Sequence, residues 1–117
     1  MAKKFEFKNN AVELDIAGHM FKIDLTAEVI AASDEVRKDA AKHAEILEES
    51  GGDSKEIVEK TCAFLAEGID KLLGEGAAKT IFGEKKVTML DLADVLNFIQ
   101  SEIYGKISGF AARNKKK

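Results

Sequence analysis

The sequence predicts an α+β fold: an N-terminal three-stranded antiparallel meander packed on a body of three main helices plus one short helix. Three observations predict it. Apolar and polar residues alternate with period 2 through the first 25 positions. From Thr26 onward, apolar residues recur at intervals of three and four. The 117 residues include no proline, so no ring interrupts a long helix.

The strands are expected at about 5–8, 11–17 and 20–25. Phe5 and Phe7 alternate with Glu6 and Lys8; Val12, Leu14 and Ile16 with Glu13 and Asp15; Phe21, Ile23 and Leu25 with Lys22 and Asp24. Asn9-Asn10 and Gly18-His19 lie between the runs and suit two-residue hairpin turns, because glycine and asparagine tolerate positive φ. With those loops Phe7 faces Val12 and Phe5 faces Leu14. Ile16 then faces Phe21, Leu14 faces Ile23 and Val12 faces Leu25. Cross-strand partners share a face, so every apolar residue lands on one side of the meander.

The helices are expected at about 27–49, 54–73, 77–82 and 89–112. Thr26 is a good N-cap for the first, whose stripe includes Val29, Val36, Ala40 and Leu47. After Ser50-Gly51-Gly52, Asp53 reads as the cap of the second, with Glu56 in the capping-box position. Gly74 stands just past Leu73 as a C-terminal glycine. Ala77 to Phe82 forms a short helix closed by Gly83. Thr88 caps the last helix, and Asp91 complements its positive end.

Size and composition bound the function. A chain of 117 residues has room for one domain, here residues 1–113, with 114–117 a basic tail. Hydrophobic residues make up 45%, enough for a core. The longest apolar runs are only a few residues, so no membrane span is expected, and no apolar stretch follows Lys3-Lys4 to make a secretory signal. Cytoplasm is the expected compartment. The chain carries 18 basic and 21 acidic residues, net −3; removing the three terminal lysines from the 18 leaves 15 against 21, net −6. An acidic body argues against a nucleic-acid partner, because duplex affinity needs a basic face.

Catalytic and metal-binding readings find little support. The single cysteine, Cys62, rules out an internal disulfide and a cysteine-based zinc site, and no base is placed beside it by the pattern. His19 and His43, the two histidines, lie on different elements with no HxxxH or ExxH spacing. Glu45-Glu48-Glu49 and Asp91-Asp94 are interleaved with lysines on solvated helix faces. Gly74-Glu75-Gly76 follows a helix and lacks the Gly-Lys-Ser/Thr of a phosphate loop. No cofactor, metal or catalytic residue is expected, and the chain reads as a non-enzyme.

The last helix carries the interaction signal. Leu90, Leu92, Val95, Leu96, Phe98, Ile99, Ile103 and Ile107 make a wide apolar face, and Tyr104 and Phe110 add aromatics. Leu92, Leu96, Ile99, Ile103 and Tyr104 are the expected contacts to a partner or a second subunit. On that reading Leu96→Asp weakens binding while the monomer stays folded. Gly105 and Gly109 add GxxxG spacing on the same helix.

The order of elements resembles the small tail assembly chaperones of long-tailed phages and prophages of Gram-positive bacteria. The resemblance rests on the hairpin ending Phe21-Lys22-Ile23-Asp24-Leu25 and on the helix after Thr26. The segment Ile69-Asp70-Lys71-Leu72-Leu73-Gly74-Glu75-Gly76 through Gly83 carries most of it, and Leu90-Asp91-Leu92-Ala93-Asp94-Val95-Leu96-Asn97-Phe98-Ile99 completes it. The strand at Phe5 to Lys8 is not among the segments that carry the resemblance. The resemblance implies a non-enzymatic chaperone in the bacterial cytoplasm. It would bind the tape measure protein, keep it soluble and recruit tail tube subunits, with a homo-oligomer as one way to line a long client. Many such chaperones also exist in a longer form made by ribosomal frameshifting, and Lys115-Lys116-Lys117 is compatible with an adenine-rich slippery site.

Two other readings stay open. One is a structural completion or connector subunit of the phage tail. The other is a small DNA-binding regulator, for which the last helix offers only Asn97, Gln100 and Arg113 as base-reading side chains.

Overall fold

The computed structural model describes residues 2–8, 10–51 and 54–114. Strand β1 (Val12–Ile16) and strand β2 (His19–Ile23) form an antiparallel hairpin. Four helices follow: α1 (Ala27–Ser50), α2 (Lys55–Leu73), α3 (Ala77–Phe82) and α4 (Met89–Asn114). The fold is α+β, as expected, but among the described residues the sheet has two strands rather than three.

The cause of the missing strand is a lack of anything to cover it. β1 packs on α4, β2 packs on α2, and α1 lies chiefly against α2. A further strand outside β1 would have no helix beneath it. Residues 2–8 therefore run outside the sheet. Phe5 and Phe7 are both exposed, Phe7 at 91%. Their rings meet each other edge to face, 5.1 Å apart. Lys4 pairs with Glu6 at 3.1 Å. The expected Asn9-Asn10 turn falls on Asn9, outside the described residues.

The hairpin register also differs from expectation. The turn is Ala17-Gly18, so Ile16 pairs with His19, Leu14 with Phe21 and Val12 with Ile23. Ala17 and Gly18 both take positive φ, 53° and 87°, as a two-residue turn of the I′ kind requires. The Gly18 N–H donates to Asp15 Oδ1 at 3.0 Å, which fixes the turn one residue earlier than Gly18-His19. The slide moves each partner by two residues, so the side-chain faces are preserved. Val12, Leu14, Ile16 and Ile23 still point into the core. Leu25 leaves the strand and packs half-buried at its edge.

Helix ends follow local chemistry. Thr26 Oγ1 accepts the Val29 N–H at 3.2 Å and starts α1; Gly51, at φ 73°, ends it. Ser54, not Asp53, is the N-cap of α2, accepting the Ile57 N–H at 3.3 Å. Asp53 lies outside the described residues. With the cap at Ser54, Glu56 is one residue too early for a capping box and pairs with Lys60 instead, at 3.4 Å. Thr88 Oγ1 accepts the Asp91 N–H at 3.1 Å and starts α4.

Gly74-Glu75-Gly76 is a chain reversal. Both glycines take positive φ, 119° and 84°. Asp70, on the last turn of α2, reaches across the reversal and accepts the Ala78 N–H through Oδ1 at 2.8 Å. α3 has no capping side chain of its own at Gly76, so this carboxylate serves in its place.

The core joins the hairpin to the inner faces of α2, α3 and α4. Ile69, Leu96, Ile99 and Ile103 are its most deeply buried large side chains. α2 is the central helix. At Gly68 an added Cβ would lie 3.2 Å from Val36 Cγ1 on α1 and 3.5 Å from Leu96 Cδ2 on α4. Polar links flank this point: Lys71 to Glu35 at 3.6 Å, and Gln100 Nε2 donating to Ser33 O at 2.9 Å.

Two stability outcomes follow from this geometry. Gly68→Leu forces a branched side chain between Val36 and Leu96 and lowers unfolding free energy by about 1–3 kcal/mol, read from the urea midpoint. Ala17→Asn places an αL-tolerant residue before Gly18 and raises it by about 0.5–1 kcal/mol, whereas Ala17→Val lowers it.

Candidate protein-interaction surface

α4 has two faces, half a turn apart. Leu92, Leu96, Ile99 and Ile103 recur at 4, 3 and 4 and are buried, Ile99 completely. Leu90, Asp94, Phe98, Ser101, Gly105 and Gly109 recur at 4, 4, 3, 4 and 4 and are all exposed. Leu90 is 69% exposed and Phe98 43%. The wide apolar face visible in the sequence is thus an inner face, which the fold uses, and part of an outer one.

This geometry divides the five expected contact residues. Leu92, Leu96, Ile99 and Ile103 pack into the chain's own core against the hairpin and α2. Their placement leaves no side-chain surface for a partner while the chain is folded. Tyr104 stands outside, 70% exposed. Leu90 and Phe98, counted with the inner residues in the sequence, are the ones the fold leaves outside. The separate period of the outer stripe is the signal that distinguishes them.

Aromatic placement is unusual for so small a chain. The sequence has seven phenylalanines and one tyrosine, and five of these eight rings are exposed: Phe5, Phe7, Phe98, Tyr104 and Phe110. Aromatic rings normally dominate cores and interfaces. Met20 on β2 and Ile30 and Ile46 on α1 add smaller exposed apolar spots. A shallow depression lined by Ala41, Ala44, Leu47, Glu48 and Met89 lies where the end of α1 meets the start of α4.

The polar residues singled out in the sequence are occupied with structure. His43 stacks on Phe64, ring centroids 4.4 Å apart. His19 opens β2 instead of sitting at the turn tip. Cys62 is half-buried beside the core. The Asp34 carboxyl is held below the ordinary carboxylate range, first by its hydrogen bond to Arg37 and then by Lys38; it is a solvated helix-surface group. Among the described residues no three of His, Cys, Asp and Glu converge to hold a metal ion. The Gln100 amide, one of the few base-reading candidates, is committed to the Ser33 carbonyl. No helix of the described residues is long and apolar enough to cross a membrane.

Exposed apolar side chains on an α+β scaffold are what the described residues offer at this surface. The profile of a family of unknown function, DUF6673, matches residues 17–116, and the chain belongs to that family. The match starts at the hairpin turn and leaves β1 and the N-terminal arm outside. No curated protein and no solved structure matches the chain.

Burial reverses the expectation for Leu96. Leu96→Asp places a carboxylate in the core and abolishes the cooperative thermal transition in circular dichroism. Tyr104→Asp leaves the transition within about 0.5 kcal/mol of the parent. A folded Leu96→Asp chain would show the core assignment to be wrong.

Proposed function

We propose that the chain is a non-enzymatic assembly factor, a phage or prophage tail assembly chaperone that binds the tape measure protein in the cytoplasm of the bacterial host. The observation that carries this reading is the exposure of five of eight aromatic rings on a body of net negative charge. A holdase needs both: apolar side chains to offer a client, and like charge that keeps its own copies dispersed. The resemblance in the order of elements, from the hairpin through Ile69–Gly83 to α4, supplies the client's identity. Tail tube subunits are the second partner on the same grounds.

The rings are spaced along two separate elements, which suits a long helical client. Tyr104 and Phe110 lie on the distal half of α4, and Phe5 and Phe7 on the N-terminal arm. An amphipathic client helix presents anchors every three to four residues. Several spaced aromatic contacts of moderate strength grip such a client reversibly, and release is a requirement of assembly.

Sequencing the DNA around the gene for a very long helical reading frame downstream, and co-expressing the chain with its product, test the reading. The expected result is a soluble complex recovered on a tag carried by the client. Phe5→Ser, Phe7→Ser and Tyr104→Asp together are expected to return the client to the insoluble fraction, with the chain itself still folded. No complex with the wild-type chain, or recovery of the chain as a stoichiometric part of purified particles, would refute the chaperone role; the latter outcome assigns a structural tail subunit instead.

A further inference from the structure

Charge is distributed along the chain in three blocks. Residues 1–8 hold Lys3, Lys4 and Lys8 against Glu6, net +2. Residues 103–117 hold Lys106, Arg113 and Lys115 to Lys117 and no acid, net +5. Positions 9–102 hold the other 10 of the 18 basic residues and 20 of the 21 acidic ones, net −10. The exposed rings follow the positive blocks: Phe5 and Phe7 lie in the first, Tyr104 and Phe110 in the last. Keeping exposed rings soluble does not require this sign, since Asp and Glu serve that purpose at least as well as Lys and Arg.

The two positive blocks also meet in space. Helix α4 runs antiparallel to α1: Gln100 Nε2 donates to Ser33 O at 2.9 Å, and Met89 lines the same depression as Leu47 and Glu48. Ala27, six residues before Ser33, is therefore level with Lys106, six residues after Gln100. Beyond that point α4 passes the start of α1, where the chain arrives from β2. At the same place Phe7 and Lys8 line a shallow depression with Ala11, Lys22, Asp24 and Leu25. Both ring-bearing segments thus stand at one end of the body. Asp24 and Glu28 are acids of the same end, so it is basic through its two segments rather than through the body.

We infer that this end of the molecule is the docking site for an acidic amphipathic helix of a protein partner. The partner's apolar stripe covers Phe5, Phe7 and Tyr104, and its carboxylates meet Lys8 and Lys106. Charge complementarity selects this occupant. A basic helix gains nothing from the two segments and is repelled by them. A nucleic-acid duplex engages the cations alone, leaves the rings in water and runs its remaining phosphates along a body of net −10. An acidic helix with leucine-like anchors every three or four residues satisfies rings and cations together, and its short length keeps it off the acidic body. The inference rests on the holdase reading only in taking the exposed rings as a contact surface. It adds the chemistry of the segment that is held.

Fluorescence anisotropy with two labelled helix-forming peptides tests the site, each about 18 residues long with leucine at every third or fourth position. One carries glutamate on its polar face, the other lysine. The wild-type chain is expected to bind the glutamate peptide at least about tenfold more tightly at about 50 mM salt, and to lose most of that difference at about 500 mM. Lys8→Glu combined with Lys106→Glu is expected to reverse the preference. Both lysines are exposed, so the circular dichroism spectrum is expected to stay unchanged. A reversal is a readout that unfolding does not produce. Equal binding of the two peptides, or no binding of the glutamate peptide, overturns the inference. So does binding of leucine-free polyglutamate, duplex DNA or phosphatidylglycerol vesicles as tightly as the glutamate peptide. Failure here is distinguishable from failure of the tape measure reading. A client complex that survives Lys8→Glu with Lys106→Glu, but not Phe5→Ser with Phe7→Ser, refutes the acidic segment alone, and the peptide assay does not use the client.

Discussion

The fold depends on the absence of one side chain. At Gly68 the backbone of α2 is approached from both sides, by Val36 of α1 and Leu96 of α4. A helix that carried a large residue there would hold its neighbours apart, and α2 could not be the central member of a three-helix layer. The close contact also sets the roles of the flanking helices. α1 buries only Val36 among its described residues and contributes mostly a covering edge. α4 buries a full stripe, because it meets both α2 and β1.

A layer centred on α2 decides where the hairpin goes. Two strands suffice to cover two helices, β1 over α4 and β2 over α2. An isolated hairpin is marginal in water, so its stability comes from that docking. Val12, Leu14, Ile16 and Ile23 close one side of the core. α3 closes another, held in place by the Asp70 carboxylate across the Gly74–Gly76 reversal. What the arrangement leaves without cover is the N-terminal arm and the far side of α4. Exposed aromatics collect at those two places because the architecture stops there, not because the segments lack apolar character.

The same reasoning explains what was legible in the sequence. Helix positions were readable because caps and glycines act over three or four residues: Thr26, Thr88, Gly51 and Gly74 each do locally what their residue type permits. The hairpin turn was misplaced by one residue because Ala17 is a poor advertisement for positive φ, and the deciding partner, Asp15, acts through a single side-chain hydrogen bond. The third strand failed for a different reason. Alternation at Phe5 and Phe7 reports that a segment can present an apolar face, and says nothing about whether a surface exists to receive it. In α4 the limit was of the same kind. Leu96 and Phe98 are both apolar and two residues apart, so core and surface separate only when the helix is set against its neighbours.

That separation divides what the core requires of α4 from what it does not. A helix that only had to complete the core would need the 92–96–99–103 stripe and a polar remainder. α4 keeps Leu90 and Phe98 where they face water, and keeps glycine at 105 and 109 where alanine would make a more stable helix. Both choices weaken the isolated monomer: one exposes apolar area, the other loosens the helix.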